Sequence, residues 1–387
     1  TTLTYESQPD VLIDYDRSEQ GDLRTEEMLI NMGPQHPATH GVLRVVLRTD
    51  GELVLEAVPH IGYLHRCAEK IGENLQAYQF VPKTDRMDYI AAMNNNHAFA
   101  LSVEKLSGLE VTERASYIRI IVCELNRIAS HLVSFGTYGL DMGAFTPFLY
   151  GIRDREVLND VMEETVGARL TMNFVLPGGL MCDIHPNFVK RVKEFIAYFR
   201  PKLDEYDDLL TNNVIIQERL RNVGVLPAQT AVQYGATGPV LRGSGVAFDL
   251  RKDHPYGVYE QADFEVPVGT IGDSWDRYWV RVEEMRQSLN IVEQLLDNIP
   301  PGDFLVKKLN SKIKIPEGRY YSQLETARGI LGVFIASDKK DEPYRLHYRS
   351  PNFNNLWCLE PMVKGDYIAS LIGAMSSLDL VIPDIDR

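Results

Sequence analysis

Cysteine is scarce in this chain. Cys67, Cys123, Cys182 and Cys358 lie far apart and form no Cys-x-x-Cys pair, so the closely spaced thiolates of zinc and iron–sulfur sites are missing. Scattered through a long sequence, they read as buried, reduced thiols. Long apolar runs are missing too. The richest, "YIASLIGAMSSLDLVI" (367–382), is interrupted by Asp379 and three serines, short of the roughly 20 apolar residues a spanning helix needs. Positive charge is in deficit: 54 acidic against 40 basic side chains give a net charge of −14 with no local basic stripe, which argues against nucleic acid as a partner. Residues 1–26 have neither a basic nor an apolar leader segment and read as an acidic, extended tail. No P-loop occurs, and Gly243-Ser244-Gly245 lacks the third glycine of a dinucleotide fingerprint, so "GATGPVLRGSG" (235–245) reads as turn chemistry. Internal repeats and low-complexity tracts are absent as well.

What is present is enough apolar material, 44% of 387 residues, for a large core. "EMLIN" (27–31), "VLRVVLR" (42–48) and "ELVLEAV" (52–58) predict three strands. Asp50-Gly51 marks a hairpin between the last two, and Leu43, Val45 and Leu47 share one face. From about residue 63 the period becomes helical. Ile118, Ile121, Val122, Leu125, Ile128, Ala129 and Leu132 form one stripe behind a Thr112 cap. Trp275, Tyr278, Val282, Met285, Leu289, Val292 and Leu296 form another behind Asp273, stopped by Pro300-Pro301-Gly302. Weaker helical patterns cover 64–80, 90–107, 148–172 and 187–213. The expected fold is α+β, mainly α: a tail (1–26), an N-terminal antiparallel sheet (27–60), a helical core (61–299) and an irregular, mixed C-terminal segment (300–387) packed on it.

The polar candidates begin with "NMGPQHPATHG" (31–41). Pro34 and Pro37 remove amide donors and fix backbone angles, so His36 and His40 belong to a loop, projecting between the first two strands. Two imidazoles alone do not make a zinc site, because no third ligand is at hand; both could simply hydrogen-bond within the loop. In "KTDRMDYIAAM", Arg86, Asp88 and Tyr89 precede a helix, which reads as a cap with an ion pair. Asp141, set between Gly139 and Gly143, reads as a turn residue. The other histidines (His60, His65, His97, His131, His185, His254 and His347) carry no assignment beyond structural ones. Spacing alone does not join His40, Tyr89 and Asp141.

A resemblance does. "NMGPQHPATHGVLR", "HIGYLHRCAEK", "DRMDY", "EKLSGLEVTERASYIRIIVCELNRIASHL", "LDMGAFTPF", "GARLTMNFVLPGG", "GATGPVLRGSGVAFDLRK" and the terminal "SLDLVIPDIDR" together resemble the 49-kDa (D) subunit of respiratory complex I, from about residue 27 onward. That family is similar in turn to the large subunits of nickel–iron hydrogenases, and a hydrogenase-large-subunit-like fold is implied. Thiolates are absent at both positions corresponding to the hydrogenase metal ligands, which removes the metal chemistry and leaves the cavity. No metal is therefore expected on this chain.

The resemblance implies a peripheral-arm subunit of a proton-pumping NADH-quinone oxidoreductase, inactive by itself, on the cytoplasmic side of the inner (cell) membrane. It further implies that His40 and Tyr89 hydrogen-bond the quinone headgroup, with His36 nearby, that Asp141 holds His40, and that Arg66 lies beside the terminal iron–sulfur cluster of a partner. Implied partners are the polypeptide that carries that cluster (the B subunit), the C subunit, and the membrane-embedded H subunit at the quinone entrance, with the clusters, FMN and NADH in partner chains. One departure stands out: Thr171 in "GARLT" replaces a histidine present in many members, and threonine does not titrate near neutrality. A partner cluster without that proton site would have a lower potential, which favours menaquinone as the substrate. Two alternatives stay open at this point: a related complex fed by ferredoxin or a deazaflavin, and an inert structural subunit.

Overall fold

The computed structural model describes residues 27–307 and 313–387; the expected acidic tail lies outside them. Alternation in the sequence becomes an antiparallel sheet ordered β1 (Glu27–Met32), β2 (Arg44–Asp50), β3 (Leu53–His60). The Asp50-Gly51 hairpin joins β2 to β3, and Leu43, Val45 and Leu47 are all buried. This sheet does not close its core alone. Residues 365–368 run along β3, with Val54 N–H donating to the Asp366 carbonyl at 2.9 Å and Gly365 N–H to the Val54 carbonyl at 2.7 Å. Leu356, Leu359, Leu371 and Met375 fill the space beneath. The N-terminal sheet and residues 356–375 thus share one core, in which each fully buried leucine contributes on the order of 2 kcal/mol.

The helical centre follows the apolar stripes. Thr112 accepts from Ala115 N–H and opens a helix running Glu113–Asp141; Asp273 accepts from Asp276 N–H and opens Ser274–Leu296. Phe145–Val166 packs antiparallel on the first, so closely that a Cβ at Gly151 would stand 2.8 Å from the Leu132 carbonyl oxygen. Phe188–Tyr206 completes the group. The weak pattern at 64–80 resolves into two short helices, Ala68–Gly72 and Ala77–Thr84. Among the described residues no helix is long and apolar enough to cross a membrane.

The C-terminal part is more regular than its sequence implies. After a two-residue ladder, β4 (Val175–Leu176) with β5 (Gly179–Leu180), it forms a second three-stranded sheet: β6 (Gly318–Thr326), β7 (Gly329–Ser337) and β8 (Arg345–Arg349). It packs on the helix Ala92–Ser107 through Phe99, Leu331 and Val333, with Phe80 of the helix Ala77–Thr84 in the same cluster. "GATGPVLRGSG" holds a short helix, Pro239–Gly243, which carries Arg242 into the interior. The four cysteines are free; Cys123 and Cys358 are buried, but Cys67 is exposed, contrary to the expectation for all four.

Candidate functional site

The proline-bearing loop is pinned at its neck and folded at its tip. At Gly33, in a left-handed conformation, a Cβ would lie 2.1 Å from the Leu43 carbonyl oxygen, so only glycine closes the neck. His36 caps the 3₁₀ turn Pro37–Thr39, its Nδ1 accepting from Ala38 N–H at 3.2 Å. The Thr39 hydroxyl donates to the His36 carbonyl at 2.7 Å. Ala38 and Thr39 are buried against the helix Ile368–Ser376, so the expected projecting tip instead folds back onto the C-terminal part. Pro34, Gln35 and His36 stay exposed. His40 follows the turn at φ 49°, a left-handed angle that turns its ring inward.

His40 meets Asp141, the last residue of the helix Glu113–Asp141 rather than part of a free turn. Nε2 of His40 stands 3.7 Å from Asp141 Oδ2, with the two side chains 17% and 9% exposed. That is an ion-pair distance but not a hydrogen bond, and Nε2 is buried without a hydrogen-bond partner. Oδ2 of Asp141 is held from the other side by the Ser376 hydroxyl, which donates at 2.5 Å. Burial raises the Asp141 carboxyl above its ordinary value, opposed by the Ser376 hydrogen bond and by His40 and His36.

Tyr89 reaches the same region by another route. It is 37% exposed, and its hydroxyl has no protein partner among the described residues. Burial of the ring raises the phenol above its ordinary value; Arg328 works against this, while Asp88 and Asp379 add to it. The expected pairing of Asp88 with Arg86 does not form. Asp88 instead pairs with Arg328 at 2.9 Å, and Arg328 reaches on to Asp379 at 3.4 Å. Asp379 in turn feels the His40 charge, so Asp88, Arg328 and Asp379 bridge the surroundings of Tyr89 and His40.

Arg66 is exposed on a loop clamped by the C-terminal residues: Gly62 and Leu64 N–H groups donate to the Asp386 carboxylate at 2.8 and 2.7 Å, and Arg66 N–H donates to the Arg387 carbonyl at 3.2 Å. Its guanidinium donates to the Arg86 carbonyl at 2.5 Å, beside the turn that carries Tyr89. Thr171 is half-buried two residues from Asn173, whose N–H donates to Asp85 at 2.9 Å. Sequence reasoning missed Ser376, Arg328 and Asp379. Ser376 and Asp379 stood inside the longest apolar stretch, where a serine pair and an aspartate were the only available hint.

Among the described residues, no three His, Cys, Asp or Glu side chains converge as metal ligands. What the site offers is two donors, an imidazole and a phenol, and one acceptor, the Asp141 carboxylate, with Leu140, Phe145 and Leu149 exposed next to Asp141 in the chain. Donors of this kind suit a polar headgroup with an apolar body.

Comparison with known proteins gives first the class, a subunit of a respiratory-chain oxidoreductase. Residues 141–313 and 304–387 match the family model of the respiratory-chain NADH dehydrogenase 49 Kd subunit. Over 364 residues, 94% of this chain and the whole of each relative, it is 48% identical to the D subunit of NADH-quinone oxidoreductase from Bacillus anthracis and from Bacillus mycoides, and 46% identical to that from Bacillus cytotoxicus. The chain belongs to the 49-kDa, or D-subunit, family of complex I.

Proposed function

We propose that this chain forms the quinone headgroup site of an NADH-quinone oxidoreductase and supports electron transfer to quinone from the terminal iron–sulfur cluster of a partner. The observation that carries this reading is the unpartnered, buried Nε2 of His40 held 3.7 Å from Asp141, with a free Tyr89 hydroxyl in the same electrostatic neighbourhood. A quinone that takes up two electrons needs two protons. His40 and Tyr89 donate hydrogen bonds to its two carbonyl oxygens and stabilise the charge that develops there. The raised phenol keeps its proton until a strongly basic oxygen forms. Imidazolium is the better first donor, and Asp141 faces it at 3.7 Å. Once His40 is neutral, Asp141 loses its cation and is free to reorganise, a local charge change that a proton pump can use.

In this reading Arg66 sets a positive charge beside the partner's cluster, His36 shapes the loop and contributes to the headgroup surroundings, and the exposed apolar rim faces the route from the membrane. The partners are the cluster-bearing B subunit, the C subunit and the membrane-embedded H subunit, with the chain docked peripherally on the cytoplasmic side. Menaquinone is the favoured substrate because Thr171 leaves the cluster without a neighbouring imidazole. Tyr89→Phe in the intact complex tests the site: quinone reduction is expected to fall at least about tenfold, while NADH oxidation by an artificial acceptor at the input end persists. Unchanged quinone reduction would overturn the reading.

A further inference from the structure

Behind Asp141 lies a small internal cavity of about 10 Å³, lined in part by His131, Arg281, Val282 and Ser376. That is space for about one water molecule. Two lining side chains carry buried nitrogens without hydrogen-bond partners, Nδ1 of His131 and both Nε and Nη2 of Arg281, of which Nε lies at ion-pair distance, 3.9 Å, from Asp379 Oδ2; the residues are 0% and 4% exposed. Nε2 of His131 lies 2.8 Å from Glu284 Oε2. Burial would raise Glu284, but Arg242 and the His131 contact hold it well below the usual range, so it is a carboxylate and accepts a hydrogen bond from Nε2–H. Nδ1 is then an acceptor. Arg281 can only donate. Ser376 spends its hydroxyl proton on Asp141, which leaves its oxygen to accept.

We propose that this cavity binds a single water that accepts from Arg281 and donates to His131 and Ser376, an arrangement that rests on Asp141 and His40 forming the quinone-site pair. One water satisfies all three positions at once. With its oxygen engaged as an acceptor, the Ser376 hydroxyl is fixed toward Asp141 and stabilises the carboxylate that holds His40. Ser376, Arg281 and His131 are thus positioning residues, one and two steps removed from the headgroup. The charged groups around Asp141 are His40 and His36 of the loop. Around His131 they are Glu284 and Arg281 of the helix Ser274–Leu296, Arg127 on its own helix, and Asp379 from the C-terminal segment.

A map of the intact complex at water-resolving resolution decides the water itself. Density within hydrogen-bond distance of His131 Nδ1, Arg281 Nη2 and Ser376 Oγ is expected; a dry cavity overturns the proposal. Its role is read from the pH profile of quinone reduction. Ser376→Ala removes a bond that favours ionised Asp141, so the acid limb should move up by about one pH unit, with artificial-acceptor activity unchanged. Val282→Ile fills the cavity and keeps every polar group, and should move the same limb in the same direction by less. A limb that neither variant moves overturns the positioning role. Asp141→Asn separates the two levels: if it abolishes quinone reduction while the cavity is dry, the quinone-site reading stands without the water.

Discussion

The buried charges fall into two regions that obey different rules. In the helical core three guanidiniums, Arg127, Arg242 and Arg251, meet four carboxylates, Glu124, Asp249, Glu284 and Glu325, all buried. Each of Glu124 and Asp249 faces two guanidiniums. Burial would raise these acids, yet Arg251 and Arg242 hold Asp249 down at about 2, and Arg127 and Arg251 hold Glu124 low. Glu325, the surplus carboxylate, is the one burial pushes up. At the quinone-site end the balance is left open: Asp141 has the His40 imidazole at 3.7 Å and rises, and His40 Nε2 and the Tyr89 hydroxyl lack hydrogen-bond partners among the described residues. A lattice of paired charges fixes shape even with Glu325 left in surplus; a lone pair that leaves its polar atoms without partners is ready for a ligand.

The comparison predicts opposite responses to similar damage. Arg242→Ala should cost about 3–5 kcal/mol, because Glu284, Glu325 and Asp249 are left buried and uncompensated. Loss of assembled complex, or early digestion of this chain by protease, is the expected readout. A normally assembled Arg242→Ala complex would break the distinction. Asp141→Asn should do the reverse: stability within about 0.5 kcal/mol of the parent, since the raised carboxyl is already penalised by burial, but quinone reduction lowered by roughly a hundredfold.

Much of the scaffold was legible because its elements are periodic. The stripe from Ile118 to Leu132 and the Thr112 cap announced the central helix, and the Asp50-Gly51 hairpin announced β2 and β3. The second sheet was not legible. "GILGVFIAS" of β7 is buried on both faces for nearly its whole length, so it shows no alternation. Its turn to β6 is Ala327-Arg328, without the Asn-Gly that marks a hairpin. The loop nature of His36 and His40 followed from two prolines, but the pairing with Asp141 came from family likeness. Ser376, Arg328 and Asp379 touch their partners across more than fifty, and in two cases more than two hundred, positions, and no local period encodes such contacts.

A pH titration sharpens the comparison further. Asp249, Glu124 and Glu284 are depressed, so they stabilise the fold above the ordinary carboxyl range and lose that contribution as pH falls through it. Asp384, beneath the rim, has the opposite sign. Burial and the Asp88 charge push it up to about 6 despite hydrogen bonds from Ser350 and Asn352. Its contribution is full below its ordinary 3.8 and lost as pH rises through about 6. Asp384→Asn should remove on the order of 2 kcal/mol of that pH dependence, seen as a flatter dependence of protease resistance on pH between about 4 and 6. An unchanged slope would place Asp384 with the core acids.

The smallest effect concerns Thr171, where the rim borders the partner's cluster in the proposed assembly. A hydroxyl there cannot take up a proton when the cluster gains an electron. The structure nevertheless sets a titratable group nearby: burial pushes Asp85 up to about 6, against the hydrogen bonds from Asn96 and Asn173 and the charge of Arg86. Asp85 therefore titrates in the acid range and is almost fully ionised above neutrality. Redox titration of the intact complex should show a weak slope of potential with pH above about 7. Thr171→His should steepen it toward about 59 mV per pH unit near the imidazole range, and Asp85→Asn should flatten what slope exists below about pH 6. A parent complex that already shows the full slope at neutral pH would break this account. It would mean that the proton is taken up by another group and that Thr171 does not favour a low-potential quinone.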